Sequence, residues 1–197
     1  MPGMKTPHKS ARAARYFRAG KTIGLEALST RHINERYVSW LNDAETNPYS
    51  GRSILPESLE SELRYIQGVL ADNTKIIFAI RLLSTGQHVG NVGLLNIDRL
   101  NRSAEIAILI GEKSQWGKGL GTEAFRLMMD YGFDTLNLHR LWMGTDSEHR
   151  GMMRVAEKLG FQLEGTFRDF YFKNGSYRDV VQYHVLNPRE ARGPASA

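Results

Sequence analysis

The densest apolar stretch in the chain is Ala104 to Gly111, AEIAILIG, an almost unbroken run with three isoleucines. A run of this length and composition predicts a strand covered on both faces. After a polar connector comes Trp116-Gly117-Lys118-Gly119-Leu120-Gly121-Thr122. From Thr122 the spacing turns helical, with Ala124, Leu127, Met128 and Tyr131 on one stripe. The same two periodicities lay out the rest of the chain. Upstream, residues 22–28 predict a strand, and residues 32–41 a helix with Ile33, Tyr37 and Trp40 or Leu41 inward. A second helix follows Pro56, with Leu59, Leu63, Ile66 and Leu70 at helical spacing. Residues 76–83 and 89–97 predict two strands around a Ser84-Thr85-Gly86-Gln87 turn. Downstream, residues 141–145 read as a strand and residues 150–159 as a helix stopped by Gly160. Residues 162–172 and 177–186 then form a hairpin around Asn174-Gly175. This order predicts an α/β (α+β) fold with one mostly antiparallel sheet of about seven strands and about four helices. The helix after Gly121 supplies its parallel crossover.

Composition adds little to the fold and removes several functions. With 197 residues and 41% hydrophobic content, one domain with a substantial core is expected. The chain has no cysteine, which excludes disulfides, thiolate metal ligands and a cysteine nucleophile. It has no apolar run long enough for a membrane span and no secretory h-region, so a cytoplasmic protein is expected. The net charge of +5 is concentrated at the start. Residues 1–21 carry Lys5, Lys9, Arg12, Arg15, Arg18 and Lys21 and no acid, and the remainder is close to neutral. The reading is a flexible basic arm (1–21), one folded domain (22–187) and a polar tail (188–197). No basic stripe crosses the folded part, so neither nucleic acid nor membrane is expected as a partner.

The glycine turn is where chemistry enters. Gly117, Gly119 and Gly121 clear side chains from the backbone just before a helix whose first amides have no partner, and such a turn attracts anions. The dinucleotide pattern fails, because a third glycine would fall at Thr122 or Ala124. The phosphate loop of nucleotide hydrolases fails too, since no Gly-Lys-Ser/Thr closes the run. Lys118 adds a point charge beside any phosphate. These residues alone leave open a ligand-free tight turn.

WGKGLGTEA, with AEIAILIG before it and EKLGFQLEGTFRD and GSYRDVVQYHVL after it, resembles the GNAT superfamily of acetyl-CoA-dependent N-acetyltransferases. The similarity is strongest to the branch of the ribosomal-protein N-terminal acetyltransferases (RimJ/RimL-like) and covers residues 22–187. YVSWLNDAETNPYSGR further resembles amino-sugar acetyltransferases of surface-polysaccharide pathways. The resemblance implies acetyl-CoA as co-substrate, no metal, and direct transfer of acetyl to a primary amine in a ternary complex. It assigns the coenzyme pyrophosphate to Trp116, Gly117, Lys118, Gly119, Leu120, Gly121 and Thr122, and the pantetheine arm to the backbone of Ile108, Leu109 and Ile110. Glu105 is the expected base, acting through water.

The family's Asn-x-x-Ser and its following tyrosine, often the acid for the thiolate, are replaced by His149, Met152 and Ala156. His149 is the expected substitute. Trp40, Tyr49, Arg52 and Tyr171 are the expected acceptor contacts. The acceptor implied is a small amine such as an amino-sugar nucleotide, with a protein N-terminus as the alternative. A coenzyme A-binding module without turnover is the reading from another class. The basic arm as an interaction tail is compatible with all three, and a homodimer is the assembly considered.

Overall fold

The protein is described by a computed structural model covering residues 16–49 and 54–190. Its centre is one eight-stranded sheet. The strands are β1 (Arg18–Ala19), β2 (Ile23–Ala27), β3 (Ile76–Leu82), β4 (His88–Asp98), β5 (Ser103–Ile110), β6 (Arg140–Asp146), β7 (Gln162–Lys173) and β8 (Ser176–Leu186). They lie in the order β1-β2-β3-β4-β5-β6-β8-β7, and every neighbouring pair is antiparallel except β5 and β6. The four helices are α1 (Glu35–Asn42), α2 (Leu59–Ala71), α3 (Leu120–Asp134) and α4 (Arg150–Lys158). The parallel pair is joined through α3, as the order of elements predicts. The strand missing from the expected count is β1, at the end of the expected arm. It pairs Arg18 with Leu25 and Ala19 with Gly24, while Phe17 stacks on Phe78 at 5.1 Å. Residues 1–15 lie outside the described residues.

Neighbouring residues of a strand point to opposite faces, so the two core clusters identify what covers each face. Phe78, Ile80 and Leu82 of β3 join the cluster that contains Leu120, Ala124, Phe125 and Met128 of α3. Ala79 and Ile77 join the cluster built from Tyr37, Trp40 and Leu41 of α1 and Ile66 of α2. Helices therefore lie on both faces, α3 and α4 on one and α1 and α2 on the other. Strand β5 follows the same alternation. Ala104, Ile106, Ile108 and Ile110 belong to the α3 side and Leu109 to the α1 side. Glu105, in phase with Leu109, shares the α1 side.

Each helix starts where local chemistry allows it. The Asn34 side chain accepts from the Tyr37 amide and caps α1, and Ser58 with Ser61 forms a capping box at α2. In α2 the inward stripe runs through Glu62, Ile66 and Val69, so Leu70, expected inward, is half exposed. Gly160 takes φ +83 after α4, the left-handed cap predicted for it. Among the described residues no helix is long and apolar enough to cross a membrane.

Candidate functional site

The site begins as a gap in the sheet. Strands β5 and β6 are in register at only three rungs, Ser103 with Arg140, Ala104 with Leu141 and Glu105 with Trp142. Beyond Glu105 the two strands have no mutual pairing, although β5 keeps its ladder with β4 to Ile110 and β6 keeps its ladder with β8 to Asp146. The space so opened is a cleft of about 760 Å³. Glu105 to Ile110 line one wall, Met143 to Thr145 the other, and the glycine turn and the start of α3 close one end. This corrects one expectation from the apolar pattern. The run Ala104–Ile110 is not covered on both faces, because residues 107–110 are only partly buried and border the cleft. Periodicity alone cannot tell a strand that lines an apolar cleft from one sealed in a core.

The turn is held open by backbone conformation. Gly117 and Gly119 adopt φ +73 and +80, left-handed values that L side chains rarely take. Gly119 is also the N-cap of α3, and no side chain caps that end. The first α3 amide with an intrahelical partner is Glu123, which donates to the Gly119 carbonyl at 3.0 Å. The amides of Leu120, Gly121 and Thr122 precede it, and all three residues line the cleft. Trp116 is tied to the end of β5, its Nε1–H donating to the Ile110 carbonyl at 2.8 Å. Lys118, between the two left-handed glycines, is exposed and does not line the cleft.

Glu105 lies where the rungs end. Its Oε2 accepts a 2.9 Å hydrogen bond from the Asn96 side chain. Asn96 stands at an irregularity in β4 with φ +50, between the Leu95 and Asp98 pairings. Burial pushes the Glu105 pKa up, against the opposing effect of the Asn96 hydrogen bond. Across the cleft, His149 is the N-cap residue of α4. Its Nδ1 is 3.2 Å from the Thr145 hydroxyl, and its ring stacks on Tyr49 with centroids 4.5 Å apart. Burial lowers the His149 pKa, opposed by the charge of Asp146, which favours a neutral imidazole. Met152 also lines the cleft, whereas Ala156 is fully buried in the core. The position that resembles the family's tyrosine therefore offers the cleft nothing.

Of the expected acceptor residues, Tyr49 borders the cleft together with Thr46 and Asn47. Trp40 does not. It is buried beneath the end of β5, and a Cβ at Gly111 would lie 2.0 Å from its ring. Tyr171 does not line the cleft either. Its hydroxyl donates to Asp146 at 2.6 Å, and its pKa is raised by burial and by that carboxylate. Arg52 lies outside the described residues.

Asp146 is the buried node that the sequence did not mark. It accepts from Tyr171, from Arg178 Nε at 3.0 Å and from the Glu148 amide at 2.7 Å. Burial alone would raise its pKa, but the hydrogen bonds from Arg178 and Tyr171 and the Arg178 charge bring it below the ordinary value. The hairpin β7–β8 thereby clamps the loop that presents His149. The same hairpin reaches the acceptor wall through Lys173, whose ammonium donates to the Asn47 carbonyl. Thr145 and Asn96 are further contacts that only the three-dimensional register reveals.

Comparison with known proteins places this geometry. The family described as acetyltransferase (GNAT) domain matches residues 22–162. The chain belongs to that family. A spermidine N(1)-acetyltransferase of Escherichia coli K12 is 41% identical over 101 residues, which cover 51% of this chain and 54% of that protein. A putative ribosomal N-acetyltransferase of Bacillus subtilis is 37% identical, over 57% of this chain and 60% of its own length. These matches span little more than half of the curated relatives. Among solved structures, a spermidine N-acetyltransferase chimera from Vibrio cholerae and a human enzyme superposes with a TM-score of 0.76 at 26% identity. It covers 86% of this chain and 98% of its own.

Proposed function

We propose that the protein is an acetyl-CoA-dependent N-acetyltransferase that moves acetyl to a primary amine by direct attack in a ternary complex. The observation that carries this reading is the parting of β5 and β6 beyond Glu105, with the uncapped start of α3 at one end of the gap. The amides of Leu120, Gly121 and Thr122 suit the coenzyme pyrophosphate, with Gly117 and Gly119 keeping side chains out of its path. The unpaired edge of β5 at Ile108, Leu109 and Ile110 suits the amide-bearing pantetheine arm, as an added strand would. This sets the thioester near the narrow end of the gap, between Glu105 and His149.

The incoming ammonium, with a pKa near about 10, loses its proton before attack. Glu105 accepts it through water, and its raised pKa brings the carboxylate closer to the basicity a general base requires. Attack by the neutral amine forms a tetrahedral intermediate whose nitrogen still carries a surplus proton. As the C–S bond breaks and coenzyme A leaves as thiolate, that proton passes through water and replaces the one His149 gives to the sulfur. In the tautomer in which the Thr145 hydroxyl donates to Nδ1, neutral His149 carries its proton on Nε2 and offers it to the departing sulfur. The thiolate is a fair leaving group at a pKa near about 8.5, so an imidazole in place of a tyrosine acid is chemically sufficient. Tyr49, Asn47 and Thr46 make a polar-aromatic wall that suits a small-molecule acceptor, amino-sugar nucleotides among them.

Thiol release from acetyl-CoA across a panel of amines tests the reading, alongside calorimetric binding of acetyl-CoA. Gly119→Trp places a large side chain at the mouth of the turn in a left-handed conformation, and acetyl-CoA affinity should fall at least about tenfold. Unchanged affinity would remove the pyrophosphate site from this turn. Tight binding without thiol release from any amine would instead support a coenzyme A-binding module.

A further inference from the structure

We infer that the acceptor is an amine whose non-reacting part carries no positive charge, and that polyamines are poor substrates despite the spermidine acetyltransferases among the relatives. This rests on the acetyltransferase reading and narrows it. The basis is the place of the carboxylates relative to the cleft. All 21 acidic residues fall within the described residues, because residues 1–15, 50–53 and 191–197 contain none. Among the described residues, Glu105 is the one carboxylate that lines the cleft.

The acids on the loops that form the acceptor wall and present His149 are already engaged. Asp43 and Glu45 both bind Lys113, at 2.7 and 2.5 Å, and neither lines the cleft. Asp146 is wholly buried and satisfied by Arg178 and Tyr171, and Glu148 pairs with the same arginine. The wall also has a cation behind it. Lys173 is buried with its ammonium against the Asn47 carbonyl.

A triamine acetylated at one nitrogen brings two further ammonium groups into or beside this cleft. Each needs a carboxylate or remains in water, because desolvating an unpaired charge is costly. Glu105 cannot supply the pairing, since the reaction uses it to take the proton of the attacking amine. An amine with a hydroxyl-bearing or carboxylate-bearing remainder meets no such demand. Its polar groups need no counter-charge, and they meet a wall on which Tyr49 is the partly exposed polar side chain of residues 46–49.

The test uses a series with one shared reacting amine and a remainder of similar length: 5-amino-1-pentanol, 5-aminopentanoate and 1,5-diaminopentane, with spermidine as the fourth member. Acetyl-CoA is held saturating and kcat/KM is read from thiol release at one ionic strength. The expected order places aminopentanol and aminopentanoate first, with diaminopentane lower by about tenfold and spermidine lower again. Equal or higher kcat/KM for diaminopentane or spermidine overturns the inference and leaves the acetyltransferase reading intact. Absence of thiol release with every member, while acetyl-CoA binds, overturns the transferase reading and the inference with it.

Discussion

Glu105 owes its proposed role to where the ladder stops. One residue earlier, Ala104 is sealed in the core; one residue later, Ile106 is sealed beneath α3. Only at Glu105 does a polar side chain meet the gap while its own burial pushes the carboxyl pKa above the ordinary value. The pH dependence follows from that direction. As a base it works when ionised, so kcat/KM should rise with pH through a limb displaced above the usual carboxylate range. Glu105→Gln removes the proton acceptor and leaves attack to amine already deprotonated in solution. Turnover should drop by about 10²-fold or more at pH 7. The deficit should shrink as pH approaches the amine pKa, with acetyl-CoA affinity unchanged by calorimetry. A variant that matches the wild-type rate at every pH would remove Glu105 as the base. At this scale the residues marked in the sequence by the glycine turn and by the family resemblance, Gly119, Glu105 and His149, line one cleft. Trp40 and Tyr171, the other expected acceptor contacts among the described residues apart from Tyr49, do not line it. Aromatic residues in a polar stretch suggest ligand contact, but Trp40 fills the space that Gly111 leaves beneath β5, and Tyr171 serves Asp146.

Among the elements, β8 and its hairpin partner matter more than their exposed pattern suggests. Strand β7 is exposed through most of its length, yet the far end of the hairpin fixes the loop after β6 through Arg178, Tyr171 and Lys173. Such a clamp joins residues more than twenty positions apart, so no local periodicity announces it. The elements themselves were legible, because an apolar run, a helical stripe and an Asn-Gly turn are each local. The clamp predicts an asymmetric pair of mutants. Arg178→Ala leaves the Asp146 carboxylate buried with its main counter-charge gone, and the midpoint of urea unfolding should fall clearly below that of the wild type. Arg178→Met with Asp146→Asn removes both charges, keeps much of the volume, and should recover most of that loss. Equal destabilisation by the single and the double variant would show that packing, rather than charge compensation, holds the hairpin.

On the scale of the molecule, the sheet is two sheets joined by a short seam. The larger part, β1 to β5, and the smaller part, β6, β8 and β7, share three rungs between β5 and β6. Beyond those rungs the parts are joined by α3 and α4, which pack on the common core, and by the Lys173–Asn47 and His149–Tyr49 contacts. A ligand lying along the gap would touch both parts and supply contacts that the strands do not make with each other. On the β5 edge facing the gap, alternate backbone groups between Ile106 and Ile110 have no ladder partner. Acetyl-CoA at about 100 times its Kd should stabilise the fold by about 2.7 kcal/mol, seen as a rise in Tm. Hydrogen exchange distinguishes how that stabilisation is distributed. Bridging by the coenzyme should slow exchange in β5 from Ile106 to Ile110, at the Leu120–Thr122 amides and in β6 from Met143 to Asp146 together, while β2 and β3 change little. Protection confined to Leu120–Thr122 would mean that the coenzyme is held by its phosphates alone and that the pantetheine arm does not pair with β5.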